Sequence, residues 1–172
     1  RDLVGNIDES KTLAAVSSAI DDYENRVIPV KRELRSQVIH GDANLGNVLA
    51  TGDQCAFIDF GDCVKAHRVF DLAIAAAYLR PAGDDPLALI LPFVAGYQSI
   101  AHLEALEREL LFDLVRARLA TTVSLFYWRV SARDANDPYR QKTLELENGA
   151  AGFLHRLDAV GRKNFEEKLF NN

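Results

Sequence analysis

Along most of this chain of 172 residues the apolar side chains recur at helical spacing, and the pattern becomes extended only between residues 38 and 59. From Asp8 to about Val27 the apolar residues lie three or four positions apart, which predicts an amphipathic helix that Pro29 kinks or ends. One short extended stretch within a series of helices is typical of an α+β protein. The sequence therefore predicts a mostly α domain with a small β-hairpin.

The extended stretch has the pattern of a hairpin that follows a loop. Val38–Ile39 and Asn47–Ala50 are mainly apolar and flank a loop that contains glycine. Thr51–Gln54 has the residues of a tight turn, and Ala56–Asp59 supplies the returning strand. We expect this region to contain all of the β-structure of the chain.

Every segment after about Val69 is predicted to be helical. The predicted helices are Phe70–Leu79, Leu87–Ile100 with a kink at Pro92, a long amphipathic stretch Leu103–Val130 formed by one helix or by two in line, and two segments between Tyr139 and Leu169. A chain of this length, without an internal repeat, suits a single domain over residues 1–172.

Composition excludes several classes of protein. Hydrophobic residues make up 48% of the chain, which is enough for a core, yet no apolar run approaches the roughly 18 residues of a membrane span. The formal net charge of −5 argues against a nucleic-acid partner, since such proteins usually carry a basic surface. Cys55 and Cys63 match neither a disulfide framework nor a zinc motif, so we expect reduced thiols and a cytoplasmic protein.

Three oxygen-bearing side chains are predicted to converge at one end of the hairpin. Asp42 and Asn47 lie at the two ends of the loop, and Asp59 ends the strand that returns beside Asn47. Mg²⁺ prefers oxygen ligands, and a carboxylate that does not bind metal is available to accept a proton from a hydroxyl. Phosphoryl transfer requires mainly positioning and charge neutralisation from a protein. The spacing H-x-D-x-x-x-x-N, followed by a strand and D-F-G, is that of a kinase catalytic loop.

The segment Val38–Leu79 resembles the aminoglycoside phosphotransferase and choline kinase-like superfamily, in which H-G-D replaces the H-R-D of protein kinases. Within it, the runs Asp59–Asp62 and Val69–Ala75 are most similar to hydroxylysine kinase-like bacterial phosphotransferases. A weaker similarity continues to the C-terminus. The resemblance implies the C-terminal lobe of a protein kinase-like fold, which uses Mg²⁺ and ATP or GTP to phosphorylate a hydroxyl of a small amine, amino acid or amino alcohol.

The resemblance also implies a role for each polar residue of this segment. Asp42 would be the catalytic base that orients and deprotonates the acceptor hydroxyl. Asn47 and Asp59 would hold the Mg²⁺ that bridges the nucleotide phosphates. His40 would support the loop, and Asp71 would be a buried acceptor for hydrogen bonds from the loop backbone.

The residues alone leave other assignments open. Asp62 either contacts an amine of the acceptor or satisfies the backbone of its own turn. The aromatic run Phe126–Trp128 lines an acceptor pocket or, as is commoner on an amphipathic helix, belongs to the core. Four arginines recur along the long helix: Arg116, Arg118, Arg129 and Arg133. They meet an anionic substrate group or lie on a solvated face, and we predict the solvated face.

The sequence does not show the two motifs with which a kinase covers and binds its nucleotide, the glycine-rich loop and the strand lysine. None of the ten glycines forms G-x-G-x-x-G, and no lysine lies in an apolar strand pattern. The chain begins at Arg1 and contains no methionine, which fits a segment of a longer polypeptide. We therefore expect a catalytic lobe whose N-terminal nucleotide-binding lobe is absent, with weak or no activity in isolation.

Two other functions compete with a small-molecule kinase. A non-catalytic pseudo-kinase or regulatory module of a larger enzyme would not need Asp42, Asn47 and Asp59 together. A Mg²⁺-dependent phosphohydrolase would direct the same carboxylates at water and release phosphate without an acceptor. Acceptor-dependent turnover that is lost in Asp42→Asn distinguishes the kinase from both.

Overall fold

A computed structural model describes residues 2–7, 9–134, 136–147 and 149–170, with the side chains of all of these except 143–147. Within these ranges, all the strands lie before the second helix. The helices are α1 (Ser10–Asp22), α2 (Arg68–Tyr78), α3 (Ile90–Ile100), α4 (Ala105–Ser131), α5 (Pro138–Glu147), α6 (Gly149–Val160) and α7 (Arg162–Phe170). The strands are β1 (Ser36–Ile39), β2 (Val48–Thr51), β3 (Gln54–Phe57) and β4 (Val64–His67). A π-helical turn, Tyr23–Val27, continues α1. The predicted α+β class is confirmed.

The strands form two small antiparallel sheets. The predicted hairpin is present as β2 and β3, with Val48 opposite Phe57 and a turn at residues 52–53. The expectation that the region from Val38 to Asp59 contains all of the β-structure is wrong, because β4 lies beyond it and pairs with β1, which includes the predicted extended residues Val38–Ile39. A four-residue strand is too short to show a periodicity of its own, and its partner lies far away in the sequence.

The long helix α4 forms the centre of the core and packs against α1, α2 and α6. The predicted amphipathic stretch is one helix of 27 residues rather than two. Its buried apolar residues are Leu110, Leu111, Phe112, Leu114, Val115, Leu119, Ala120, Val123 and Phe126. Phe126 thus belongs to the core, as predicted, whereas Trp128 is 46% exposed. None of the helices in the described ranges is long and apolar enough to cross a membrane.

Several helix boundaries differ from the predicted ones. Pro92 lies in the first turn of α3, where proline is tolerated, so the helix accommodates it at its start instead of kinking. The two segments predicted after Tyr139 are three helices. Gly161 separates α6 from α7 with φ +74°, a left-handed conformation that glycine adopts readily. The predicted first residue of the first helix, Asp8, lies outside the described residues.

Buried charges fasten α4 to the first and last helices. The fully buried Asp113 carboxylate accepts hydrogen bonds from Arg26 at 2.9 Å and from Arg162 at 2.7 Å. Arg116 is 5% exposed and donates to Asp158 at 2.7 Å. The predicted solvated face is therefore wrong at Arg116, because carboxylates from α1 and α6 close over its guanidinium.

Candidate active site

The loop between β1 and β2 approaches the turn after β3 so closely that only glycine fits at position 41. Gly41 has φ +82°, and a Cβ built on it would lie 2.4 Å from the carbonyl oxygen of Asp62. Residues with a side chain are disfavoured at this φ, and the carbonyl leaves no space for one. This contact places the loop that carries Asp42 against the turn that follows Asp59.

Asp71, in the first turn of α2, holds the start of the loop. Its carboxylate accepts the backbone N–H of His40 at 3.1 Å and that of Gly41 at 3.0 Å. The His40 ring joins the two loops, since Nε2 lies 3.0 Å from the Ile58 carbonyl oxygen and Nδ1 lies 3.3 Å from the backbone nitrogen of Asp42. Both contacts are satisfied when Nε2 carries the proton. The geometry supports the loop-stabilising roles predicted for His40 and Asp71, although Asp71 is only partly buried.

The Asp42 carboxylate accepts four hydrogen bonds from described residues, two on each oxygen. Oδ1 accepts from the Tyr78 hydroxyl at 3.2 Å and from Arg118 Nη2 at 3.3 Å. Oδ2 accepts from Asn44 Nδ2 at 2.9 Å and from Asn47 Nδ2 at 3.4 Å. A carboxylate has about four lone-pair positions, so these donors fill it. The Asp42 side chain is 27% exposed and therefore within reach of a ligand.

Asn47 and Asp59, the predicted metal ligands, are brought together through the backbone. The Ile58 N–H donates to the Asn47 carbonyl oxygen at 3.0 Å, so the residue before Asp59 pairs with Asn47. Both residues lie just outside the strands in which they were expected, because the 3₁₀ turn Leu45–Asn47 precedes β2 and β3 ends at Phe57. Asp59 adopts the left-handed region at φ +60° and ψ +66°, which is uncommon for a residue with a side chain and recurs at functional sites.

The donor atoms at this position fit a hard divalent cation. Asp59 offers an exposed carboxylate, and Asn47, which donates through Nδ2 to Asp42, keeps an amide oxygen. Across the described part of the chain, no three His, Cys, Asp or Glu side chains group as an all-protein metal site would require. One carboxylate, one amide oxygen and the phosphates of a nucleotide are instead the kind of set in which Mg²⁺ is commonly bound.

Asp62 lies in the 3₁₀ turn Phe60–Asp62 and its side chain is exposed. Its carbonyl oxygen contacts Gly41, but its carboxylate accepts no hydrogen bond from any residue that the structure describes. The side chain therefore does not satisfy the backbone of its own turn. Contact of Asp62 with an acceptor amine stays a prediction.

Sequence reasoning gave no role to Asn44, which contacts Asp42 within the loop, and missed two residues that contact Asp42 from outside the loop. Tyr78 lies seven positions after Asp71, which is two helical turns, so the same face of α2 supplies both. That spacing was available from the sequence alone. Arg118 comes from α4, 76 positions beyond Asp42, and was predicted to lie on a solvated face. That prediction is wrong, because the Arg118 guanidinium contacts Asp42 and also donates to the Tyr78 hydroxyl at 2.8 Å.

A cavity of 460 Å³ opens beside Arg118, between α1 with its π-helical turn on one side and α2 and α4 on the other. Its walls are largely apolar, and Tyr23, Glu24 and Thr121 add polar groups. Burial raises the pKa of the Tyr23 phenol above its usual value of 10. A second cavity of 260 Å³ lies against another face of α2. The first cavity has the size and mixed lining of small-molecule sites.

Residues 7–112 match the model of the APH family, described as the phosphotransferase enzyme family. This match covers more than half of the chain. The chain belongs to this phosphotransferase family. The predicted resemblance is therefore confirmed, and the matched range contains the whole of the loop, the hairpin and α2.

Three curated relatives have similar sequences. The chain is 28% identical to hydroxylysine kinase of Danio rerio over 163 residues, which are 91% of this chain and 45% of the relative. It is 26% identical to hydroxylysine kinase of Mus musculus, over 97% of this chain and 46% of the relative. It is also 26% identical to hydroxylysine kinase of Xenopus laevis, over 95% of this chain and 46% of the relative. The chain thus spans somewhat less than half the length of each of these proteins.

Proposed function

We propose that this chain is the catalytic lobe of a small-molecule kinase that transfers the γ-phosphoryl group of ATP or GTP to a hydroxyl of a small amine, amino acid or amino alcohol. The observation that carries the proposal is the Asp42 carboxylate, held beside Asn47 and next to the turn of Asp59 in a phosphotransferase-family loop. The names of the relatives favour a hydroxylated amino acid as the acceptor.

Asp42 acts as the general base of this reaction. The acceptor hydroxyl donates to the carboxylate, and its proton passes to Asp42 as the hydroxyl oxygen forms a bond to the γ-phosphorus. The bond between the γ-phosphorus and the bridging oxygen breaks, and the nucleoside diphosphate leaves with that oxygen. The hydrogen bonds from Asn44 and Tyr78 keep the carboxylate in one orientation throughout. Asn47 and Asp59 would hold Mg²⁺, which neutralises phosphate charge when it is bound.

The domain organisation is part of the proposal. The surface around the two sheets exposes large apolar side chains: Val38, Leu45, Leu49, Phe57, Phe60 and Val64 are 52–70% exposed. A group of apolar side chains of this kind marks an interaction surface. The relatives are about twice as long as this chain. We therefore expect a nucleotide-binding lobe of the same polypeptide to cover this surface, and no acceptor-dependent turnover from the 172-residue segment alone.

The test is release of nucleoside diphosphate by the intact polypeptide that contains this chain. MgATP and MgGTP are supplied with a panel of hydroxylated amino acids, amino alcohols and aminoglycosides. Asp42→Asn keeps the size of the side chain but removes the base, so we expect a loss of turnover of about 10²–10⁴-fold. The matched control is Asp53→Asn in the exposed turn between β2 and β3, which should leave turnover unchanged.

Unchanged turnover in Asp42→Asn would refute the assignment of the base. No turnover with any acceptor, together with no binding of MgATP, would instead favour a regulatory module.

A further inference from the structure

The four hydrogen bonds that the Asp42 carboxylate accepts leave no lone pair for the acceptor hydroxyl, so one of the four donors has to depart. Donors already occupy all four lone-pair positions of the carboxylate. A base that receives a proton from a hydroxyl must first accept a hydrogen bond from that hydroxyl. One of the four donors therefore moves before the reaction proceeds.

The longest contact on Oδ1 is the one from Arg118 Nη2, at 3.3 Å. Arg118 also lines the 460 Å³ cavity, whereas Asn44 and Asn47 belong to the loop itself. A molecule that enters from this cavity therefore meets Arg118 on its way to Oδ1. The other oxygen, Oδ2, is turned toward the amides of Asn44 and Asn47. Arg118 is thus the donor that an acceptor in this cavity is placed to displace.

The Arg118 guanidinium has donors to spare. Nη2 contacts Asp42 and Tyr78, but Nε is buried and finds no partner among the described residues. Buried unsatisfied donors are rare in proteins, and a missing ligand is one common reason for them. The Arg118 side chain is 27% exposed, so solvent and small molecules reach part of the guanidinium. The planar fork of arginine is suited to bind a carboxylate through two parallel hydrogen bonds.

We propose that Arg118 recognises the carboxylate of an amino-acid acceptor and that its transfer from Asp42 to this carboxylate frees Oδ1 for the acceptor hydroxyl. This inference rests on the proposed kinase function. An amine that lacks the carboxylate leaves Arg118 on Asp42, so Arg118 selects amino acids over amino alcohols at the base itself.

The experiment compares matched acceptors with the intact polypeptide. Hydroxylysine and serine are each paired with the amine that decarboxylation leaves, and kcat/KM is measured for every acceptor. The wild type should prefer the amino acid of the active pair by about 100-fold, as expected for a charged group whose partner is built into the site. Arg118→Gln should lower kcat/KM for the amino acid by about the same factor and should not lower kcat/KM for the decarboxylated amine, because Arg118 then no longer occupies Oδ1.

Two further variants keep this test specific. Arg118→Lys keeps the charge but not the fork, and should retain part of the preference for the amino acid. Arg129→Gln removes an arginine from the same helix, away from Asp42, and should leave the preference unchanged.

An equal loss for both members of a pair in Arg118→Gln would overturn the recognition of a carboxylate and leave Arg118 as a positioning residue for Asp42. No transfer from the wild type to any acceptor would overturn the proposed function itself, and with it this inference.

Discussion

At the scale of single residues, the loop that carries Asp42 depends on the lack of a side chain at Gly41. A Cβ at this position would lie 2.4 Å from the Asp62 carbonyl oxygen, and φ is +82°. Gly41→Ala must therefore push the Asp42 loop away from the turn after β3. We expect Gly41→Ala to destabilise the protein by about 1–3 kcal/mol and to lower kcat by at least about tenfold, because the base moves with the loop. Thermal unfolding and steady-state kinetics measure the two effects.

Gly52 provides the matched control. It also has positive φ, +58°, but a Cβ there would meet no atom within 4 Å. Gly52→Ala should cost about 1 kcal/mol of stability through its backbone conformation alone and leave kcat unchanged. Equal kinetic effects of the two substitutions would show that the contact between Gly41 and Asp62 does not position the base.

At this scale the sequence predicted the residues that lie close together in the chain. Asp42 and Asn47 share one loop, and a single turn brings Asp59 back to it, so local spacing was enough to group them. Arg118 could not be placed in the same way. Its contact with Asp42 depends on how α4 packs against α2, and helical periodicity gives the face of a residue but not its partner.

At the scale of elements, the pair Arg35–Glu107 fastens the segment before β1 to the start of α4. Arg35 Nε donates to the Glu107 carboxylate at 3.0 Å, and the Arg35 carbonyl oxygen accepts the backbone N–H of Arg68 at 2.9 Å. Glu107 is 1% exposed and also accepts the N–H of Glu104 at the start of the helix. One carboxylate thus caps α4 and fixes the strand that leads to the catalytic loop.

This pair predicts a pH-dependent stability. Burial alone would raise the pKa of Glu107, but the hydrogen bonds from Arg35 and from the Glu104 backbone outweigh it, and the net pKa lies below the usual 4.5. A carboxylate whose pKa is lower in the folded state than in the unfolded chain stabilises the protein at every pH above its unfolded-state pKa. This stabilisation is lost as the pH falls through its folded-state pKa. Glu107→Gln should therefore lower Tm clearly at pH 7 and by less at pH 3.

The measurement is thermal unfolding of the wild type and of Glu107→Gln between pH 7 and pH 3, at a matched ionic strength. A difference in Tm that stays constant across this range would contradict the assigned role of the Glu107 charge. A matched control is Glu104→Gln, since the Glu104 side chain is 56% exposed and its ion pair with Arg35 should contribute little.

The elements themselves were predictable where a pattern repeats over many residues. The long apolar stripe of α4 and the turn of the β2–β3 hairpin both follow from local sequence. The sequence did not reveal β4, because Val64–His67 is stabilised as a strand by pairing with β1 and not by its own pattern. The break at Gly161 between α6 and α7 is a single residue, in a region where the sequence predicted only that two helical segments follow Tyr139.

At the scale of the whole molecule, Asp113 connects the two ends of the chain through α4. Its buried carboxylate binds Arg26, which follows α1, and Arg162, at the start of α7. Asp113→Ala leaves both guanidinium groups without this partner, so we expect a loss of about 3–5 kcal/mol and a fall in Tm of roughly 10 °C.

Glu109 is the control for this prediction, because it also pairs with Arg26 but is 56% exposed. Glu109→Ala should change stability by less than about 1 kcal/mol. Similar losses in both variants, measured by chemical denaturation, would show that burial of Asp113 does not set the strength of the network.

The measurement that tests the central claim most directly follows where the γ-phosphoryl group goes. The intact polypeptide is incubated with nucleotide labelled at the γ-phosphate and with an amino-acid acceptor, and the label is followed by chromatography. We expect the label to enter the acceptor in a ratio of one to each nucleoside diphosphate released, and transfer to be lost in Asp42→Asn. Label found only in free phosphate, at a rate independent of the acceptor, would contradict a kinase and identify a phosphohydrolase.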